Sequence, residues 1–290
     1  MAEPTTRTLE TAGATLRYDV RPGTGRDPRP LLLIGSPMDA TGFTTLASHF
    51  TDRTVVTYDP RGVGRSETAE GAPVEIRPEE HADDLARLIE ELAAGPVDVF
   101  ASSGGAVNAL ALVARRPELV HTLVAHEPPA AGLVPDGAEA LAACEDVRAT
   151  YLRDGWGAGM AKFIALTSHQ GPIPAGWAGL PVPPETYGLP AEDDGRRDDP
   201  LLGRNMRGCT SYVPDTEALK AAAGTTRIVV AAGEESRREL AARAAAALAE
   251  RLGTPLAVFP SHHGGFLGGE FGQRGAPEAF AKTLREVLEA

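Results

Sequence analysis

Ser103 stands in the stretch Val97-Asp98-Val99-Phe100-Ala101-Ser102-Ser103-Gly104-Gly105-Ala106, where an apolar run ends in tiny side chains and an Ala/Leu/Val-rich run, Val107 to Arg116, begins. Small residues on both sides of a serine, between a strand and a helix, suit a sharp turn whose middle residue holds a strained backbone conformation. Such a turn lifts the hydroxyl clear of the sheet and over the first amides of the helix, a position from which it can attack a carbonyl. A serine is a poor nucleophile at its free pKa and needs a base to take its proton. The same stretch also suits a Gly-rich strand-to-helix connection with no chemistry, because short motifs misfire often.

The elements around it decide between the two readings. Leu31-Leu32-Leu33-Ile34 and Thr54 to Tyr58 are short, continuously apolar runs of the kind buried on both faces of a parallel sheet. Val97 to Phe100, Val120 to Ala125, Arg227 to Ala232 and Leu256 to Phe259 repeat the pattern. Helices are expected over Phe43 to Phe50, Pro78 to Ala94, Val107 to Arg116, Arg237 to Leu252 and Ala276 to Glu289, and one or two edge strands over Thr6 to Val20 with a turn at Gly13. Arg21 to Pro30, rich in Gly, Pro and charge, reads as a loop. The alternation predicts an α/β fold with a doubly wound, mostly parallel sheet. Ligands in such sheets bind beyond the carboxyl ends of the strands. Gly35, Asp59, Ser103 and Glu127 all follow strands at that end, so one site can draw on four turns.

From Ala130 to Thr225 the alternation lapses, far beyond ordinary loop length. Helices are expected at Gly137 to Leu152 and Ala158 to Leu166. The reading is therefore a core made of residues 1–129 and 226–290, with 130–225 inserted as a mainly helical lid.

Composition narrows the partners. With 40 acidic against 28 basic residues the formal charge is −12, and no basic stripe offers a footing for nucleic acid. No apolar run approaches the length that crosses a bilayer, and the N-terminal Met-Ala-Glu-Pro-Thr-Thr-Arg lacks an apolar core, so neither a membrane span nor a signal peptide is expected. The two cysteines, Cys144 and Cys209, are too few for a disulfide framework, and a reduced, cytoplasmic setting is the simpler reading. Histidines and carboxylates lack zinc-site spacing, and no GxGxxG or P-loop follows the first strand. No metal, dinucleotide or nucleoside triphosphate is implied, and no cofactor is expected.

Four segments together resemble the α/β-hydrolase superfamily: Gly35-Ser36-Pro37, Tyr58-Asp59-Pro60-Arg61-Gly62-Val63-Gly64-Arg65-Ser66, Ala101-Ser102-Ser103-Gly104-Gly105, and His262-His263-Gly264-Gly265-Phe266. Their order and spacing carry the likeness over nearly the whole chain outside the expected lid. The resemblance implies that Ser103 is the nucleophile of a G-x-S-x-G elbow, with Ala101 in place of the first glycine, and that His263, rather than its neighbour His262, is the base. Structural roles are expected for His49, His81, His121, His126 and His169, with His126 and His169 near the pocket. It also implies an oxyanion hole from the backbone N–H groups of Ser36 and Gly104, although Ile34 stands where the family often has His. Asp59, Arg61 and Ser66 are expected to hold their turn together.

The acid is open. The usual family position lies in the loop after Arg227 to Ala232, where Ser236 occupies the place of the expected Asp and Glu235 is the nearest carboxylate. Glu127 is preferred, because some branches of the superfamily, certain haloalkane dehalogenases among them, carry the acid after the strand that follows the elbow helix. Met38 and the residues Trp156, Phe163, Trp177, Tyr187, Met206 and Tyr212 are candidates for an apolar pocket wall, and ordinary packing would explain each equally well. The resulting expectation is a cofactor-independent serine hydrolase with a Ser-His-Glu triad, acting on a small or medium, largely neutral ester, thioester or lactone. The same fold hosts perhydrolases or haloperoxidases, C–C hydrolases and biosynthetic lyases or cyclases, and a non-catalytic ligand-binding member is a further alternative.

Overall fold

The computed structural model describes residues 3–25 and 29–290. The first two residues of the expected leaderless N-terminus, and residues 26–28 of the expected loop, lie outside the described residues. In chain order the elements are β1 (Thr5–Thr11), β2 (Ala14–Arg21), β3 (Leu31–Ile34), α1 (Thr44–Ser48), β4 (Val55–Asp59), β5 (Glu67–Thr68), α2 (Pro78–Leu92), β6 (Val97–Ser102), α3 (Gly104–Arg115), β7 (Val120–His126), α4 (Gly137–Asp154) and α5 (Trp156–Thr167). Then follow α6 (Met206–Ser211), α7 (Thr216–Ala222), β8 (Arg227–Gly233), α8 (Leu240–Leu252), β9 (Ala257–Phe259) and α9 (Pro277–Glu289). Among the described residues the strands form a nine-stranded sheet in the order β1-β2-β4-β3-β6-β7-β8-β9, with β5 beside β2. β3, β4 and β6 to β9 run parallel, while β1 and β2 form an antiparallel hairpin that pairs with β4.

The apolar runs are continuous because both sheet faces are covered. Every residue of β3 and β6 is buried. The period-two alternation of a strand divides them between two cores. Leu32, Ile34, Val97, Val99 and Ala101 pack with α2, α3, α7 and α8 on one face. Leu31, Leu33 and Phe100 face α1 and α9 on the other. That second core is aromatic: Phe43, Phe100, Phe259, Phe266 and Phe280 meet in pairs with ring centroids 4.7–6.3 Å apart, the separations at which edge and offset contacts are favourable.

Between β7 and β8 the chain is helical, with no strand among the described residues. α4, α5, α6 and the loop residues Ile173 and Trp177 share a third apolar cluster. A π-helical turn at Pro200–Asn205, together with α6 and α7, adds to the two helices expected there. Short segments such as Met-Arg-Gly-Cys-Thr-Ser have too few turns to show a period, so pattern alone does not reveal them. The helix expected at Phe43 to Phe50 is a 3-10 turn at Ala40–Phe43 running into α1. α3 begins at Gly104, three residues before its apolar run, because the serine turn itself opens the helix. No helix among the described residues is long and apolar enough to cross a membrane.

The start of α3 is pressed against the end of β3. A Cβ on Gly105 would stand 2.6 Å from the Ile34 carbonyl oxygen and 3.0 Å from the Gly35 carbonyl carbon. Those are backbone atoms in the sheet interior and cannot swing aside. Gly105→Ala is therefore expected to cost about 2 kcal/mol of stability and to lower the midpoint of thermal unfolding by ~5 °C.

Candidate active site

Ser103 closes β6 with φ 56° and ψ −128°, outside the regions that non-glycine residues ordinarily occupy. The conformation is held from both sides. Its N–H donates to the His126 carbonyl (2.9 Å), and its carbonyl accepts from the Ala106 N–H (2.9 Å) as α3 starts. Ala101 is fully buried and small enough for the tight turn. Gly104 is required by a close approach, since a Cβ there would lie 2.6 Å from the Ser36 carbonyl oxygen and 3.0 Å from the Cys209 sulfur. The Gly35-Ser36-Pro37 turn and the first residue of α3 thus meet beside the serine.

The acid candidate is placed by the neighbouring strand. Ser102 and His126 are the last paired residues of β6 and β7, and the residues after them, Ser103 and Glu127, both turn to positive φ (56° and 49°). Glu127 is fully buried, and its N–H donates to the Ala231 carbonyl (2.9 Å). Its Oε2 accepts from His263 Nδ1 (2.5 Å). Its Oε1 accepts from the Gly233 N–H (2.8 Å) and from the Ser236 hydroxyl. Burial pushes the carboxyl up, but the hydrogen bond and positive charge of His263, with help from Ser236, outweigh it and hold the group at about 2. For His263 burial pulls the imidazole pKa down, and the bond to Glu127 with the charges of Glu127 and Glu239 lifts it above its ordinary value. With Nδ1 donating to the carboxylate, Nε2 is left free to accept a proton.

Of the two carboxylates weighed from sequence, Glu127 is the one that reaches His263. Glu235 is exposed and joins the Ser261 carbonyl only through its backbone N–H (3.0 Å). Ser236, at the place where the family carries Asp, is buried and turned onto Glu127. His262 lies off the pair, contacting the Arg274 carbonyl through Nε2 (3.3 Å) and accepting from the Gly264 N–H (3.1 Å) at Nδ1. His126 is fully buried behind His263, with ring centroids 6.0 Å apart, and burial pushes its pKa down to about 4, so it stays neutral. Asp59 accepts from the Ala40 and Arg65 N–H groups, and Arg61 forks onto Asp84 at 2.6 and 2.7 Å, which braces the turn after β4.

Ser103 and His263 open into one cavity of about 330 Å³, shared with Ser36 and Gly104 and with no hydrogen bond between the two side chains. Phe163, Leu166, Leu201, Met206 and Leu240 make an apolar wall, and Thr167, Ser168, Asn205, Glu239 and Gln273 supply polar groups. Cys144 and Cys209 also line it. Both are free, and burial pushes their thiols up to about 11 and about 12, so neither is a thiolate near neutral pH. Among the described residues no three His, Cys, Asp or Glu side chains are gathered as a metal site.

Phe163 and Met206 thus stand in the wall where they were expected, whereas Met38, Trp156, Trp177, Tyr187 and Tyr212 do not line the cavity. Met38 is folded against Gly35 and Gly42 beneath the β3 turn. Trp156 donates from Nε1 to Asp199 (3.0 Å), and Trp177 is buried in the third cluster. Tyr187 is exposed at the surface, and Tyr212 packs on the core beside α3. Apart from Phe163 the wall is aliphatic or thioether and comes from α5, the start of α8 and the turn leading into α6, so a search by aromatic type finds only part of it. Glu239 and Leu240 carried a usable signal, since they start the helix after β8, at the ligand end of the sheet.

A family model described as the alpha/beta hydrolase fold matches residues 31–163. An uncharacterized hydrolase of Bacillus subtilis, YraK, is 34% identical over 268 residues, covering 89% of each chain. Among solved structures, an esterase from Thermogutta terrifontis superposes with a TM-score of 0.64 at 22% identity, covering 99% of this chain and 98% of its own. The epoxide hydrolase VrEH1 of Vigna radiata gives 0.63 at 17% identity, with 99% and 98% covered. At those identities the two structures speak for the fold alone. With sheet order, serine turn, the family model and a relative matched over 89% of each chain in agreement, the chain belongs to the α/β-hydrolase superfamily.

Proposed function

We propose that the protein is a cofactor-independent serine hydrolase that cleaves a small or medium, largely neutral ester, thioester or lactone through an acyl-enzyme. The observation that carries this reading is the hydrogen bond between His263 Nδ1 and the buried Glu127, formed at the edge of the cavity that also holds Ser103 on its strained turn. Glu127 fixes the tautomer that leaves Nε2 basic. His263 takes the Ser103 proton as Oγ attacks the carbonyl, then delivers it to the leaving group. A water activated by the same nitrogen releases the acyl group. The N–H groups of Ser36 and Gly104 receive the developing oxyanion, each worth about 3 kcal/mol in the transition state. The cavity thiols remain protonated, which leaves the serine as the activated nucleophile. The Bacillus relative is named a hydrolase and the Thermogutta structure an esterase, and both are compatible with hydrolysis at this site.

Residues 130–225 serve in this reading as the lid, with Phe163 of α5 and Met206 of α6 turned to the substrate. Two free, buried cysteines fit a cytoplasmic setting. Intact-mass measurement after exposure to a fluorophosphonate tests the core of the proposal. A single adduct that disappears in Ser103→Ala is expected, and an adduct that survives that change would sink it. Ser236→Ala removes one donor from Glu127 Oε1 while Gly233 remains. It is expected to lower kcat by about tenfold, from a hydrogen bond to a charged carboxylate worth ~1.5 kcal/mol, with KM nearly unchanged in steady-state assays.

A further inference from the structure

Among the described residues that line the cavity, Glu239 is the one carboxylate and none is Lys or Arg. The side chain is half-buried at the start of α8. Its Oε1 accepts from Gln170 Nε2 (3.1 Å), and among the described residues Oε2 accepts no hydrogen bond. Burial and the charge of Glu127 raise its pKa, while His263, His262 and the bond from Gln170 work the other way. Its second oxygen is open to whatever enters the cavity, and a donor or cation on an incoming molecule can take the place of water there. The mechanism above does not use it, because the histidine already has its acid.

We propose that Glu239 is a specificity-determining residue that selects substrates carrying a cationic or strongly hydrogen-bond-donating group on the alcohol (leaving-group) side, and rejects substrates carrying a carboxylate there. The assignment to the alcohol side follows from the neighbour that Glu239 shares. Glu239 and His263 border the same cavity, and His263 is the group that protonates the departing oxygen in the proposed mechanism, so the leaving group departs on the side they share. The chain's net charge of −12 works in the same direction by disfavouring anions before they arrive. This inference rests on the serine-hydrolase reading and adds the substrate class to it.

The test uses three acetate esters of similar length: acetylcholine, its uncharged isostere 3,3-dimethylbutyl acetate, and 4-acetoxybutanoate. Relative kcat/KM is read for each ester. An ester turned over too slowly to measure is read by how well it protects Ser103 from a fluorophosphonate. The wild-type protein is expected to favour the cationic ester over the isostere by about tenfold and to disfavour the anionic one by about as much, as for a charge pair in a partly desolvated site. Both ratios should shrink as salt is raised. In Glu239→Gln the cationic preference is expected to fall to within about threefold, whatever the absolute rates. Equal use of the cationic ester and its isostere by the wild type overturns the inference without any variant, and so does a ratio that survives Glu239→Gln in a protein still labelled at Ser103. Absence of both turnover and labelling overturns the serine-hydrolase reading, and this inference falls with it.

Discussion

Ser103→Ala is expected to lower kcat/KM toward a neutral ester such as phenyl acetate by about 10⁵- to 10⁶-fold, the scale seen when the nucleophile of a serine triad is removed. Thermal unfolding should hardly move. Among the described residues no group hydrogen-bonds the Ser103 side chain, which is only half-buried, so its loss leaves no buried partner unsatisfied. The backbone strain at φ 56° persists with alanine and is relieved by glycine. Ser103→Gly should therefore be equally inactive yet more stable than Ser103→Ala, by about 1 kcal/mol in denaturant unfolding. A Ser103→Ala protein that retained a few per cent of activity would rule out the covalent route.

Glu127→Gln should reduce kcat by about 10⁴-fold, as isosteric replacement of a triad acid does elsewhere. The physical reason lies in the burial of the site. Gly233 and Ser236 both donate to Oε1, so an amide placed there keeps its oxygen toward them and turns its NH₂ to His263. The imidazole must then accept at Nδ1 and carry its proton on Nε2, the wrong atom for a base. Two pH readouts separate this from general damage. In the wild type the His263 pKa is raised, so the acid limb of kcat/KM lies above the ordinary histidine value, and activity appears as pH rises through it. Removing the Glu127 charge lowers that pKa and moves the limb to lower pH. For stability the sign runs with the depressed carboxyl. Glu127 contributes fully above its ordinary pKa of 4.5, and the contribution is lost as pH falls toward its folded value of about 2. Glu127→Gln should flatten that part of the acid-unfolding profile, which urea titrations at several pH values would measure.

Much of this architecture is legible in the chain because it rests on local patterns. Buried parallel strands such as Leu31–Ile34 read as unbroken apolar runs, and the serine turn reads as a cluster of tiny residues at the end of one. The choice between Glu127 and Glu235 leaned to Glu127 only through the family resemblance, because it depends on which of two strand ends lies nearer the histidine, and the carboxylate closer to His263 in sequence is the one that does not reach it. Ser236 shows the limit clearly. In sequence it is a missing acid, and in the fold it is a donor to the acid that sits on the adjacent strand. The cavity wall was legible only in part for a related reason. Trp177 and Tyr187 have the bulk expected of a wall, but side-chain bulk says nothing of which face of an irregular segment turns inward. Leu166 and Leu240 reach the cavity from helix ends whose exact position is a tertiary result.

The twin departures from β6 and β7 have a mechanical consequence. Ser103 and Glu127 each follow one member of the same strand pair, so the distance between them is set by the spacing of neighbouring strands, about 4.8 Å in any sheet. Two corners of the proposed triad thus belong to the most rigid lattice in the molecule. The third, His263, belongs to the turn-rich segment between β9 and α9, and its ring bonds to Glu127. That segment is anchored in its turn, because its Phe266 and Leu267 are buried in the second core. The proposed site thus joins two kinds of support, strand pairing for the serine and the acid and packing against the second core for the loop that brings the base.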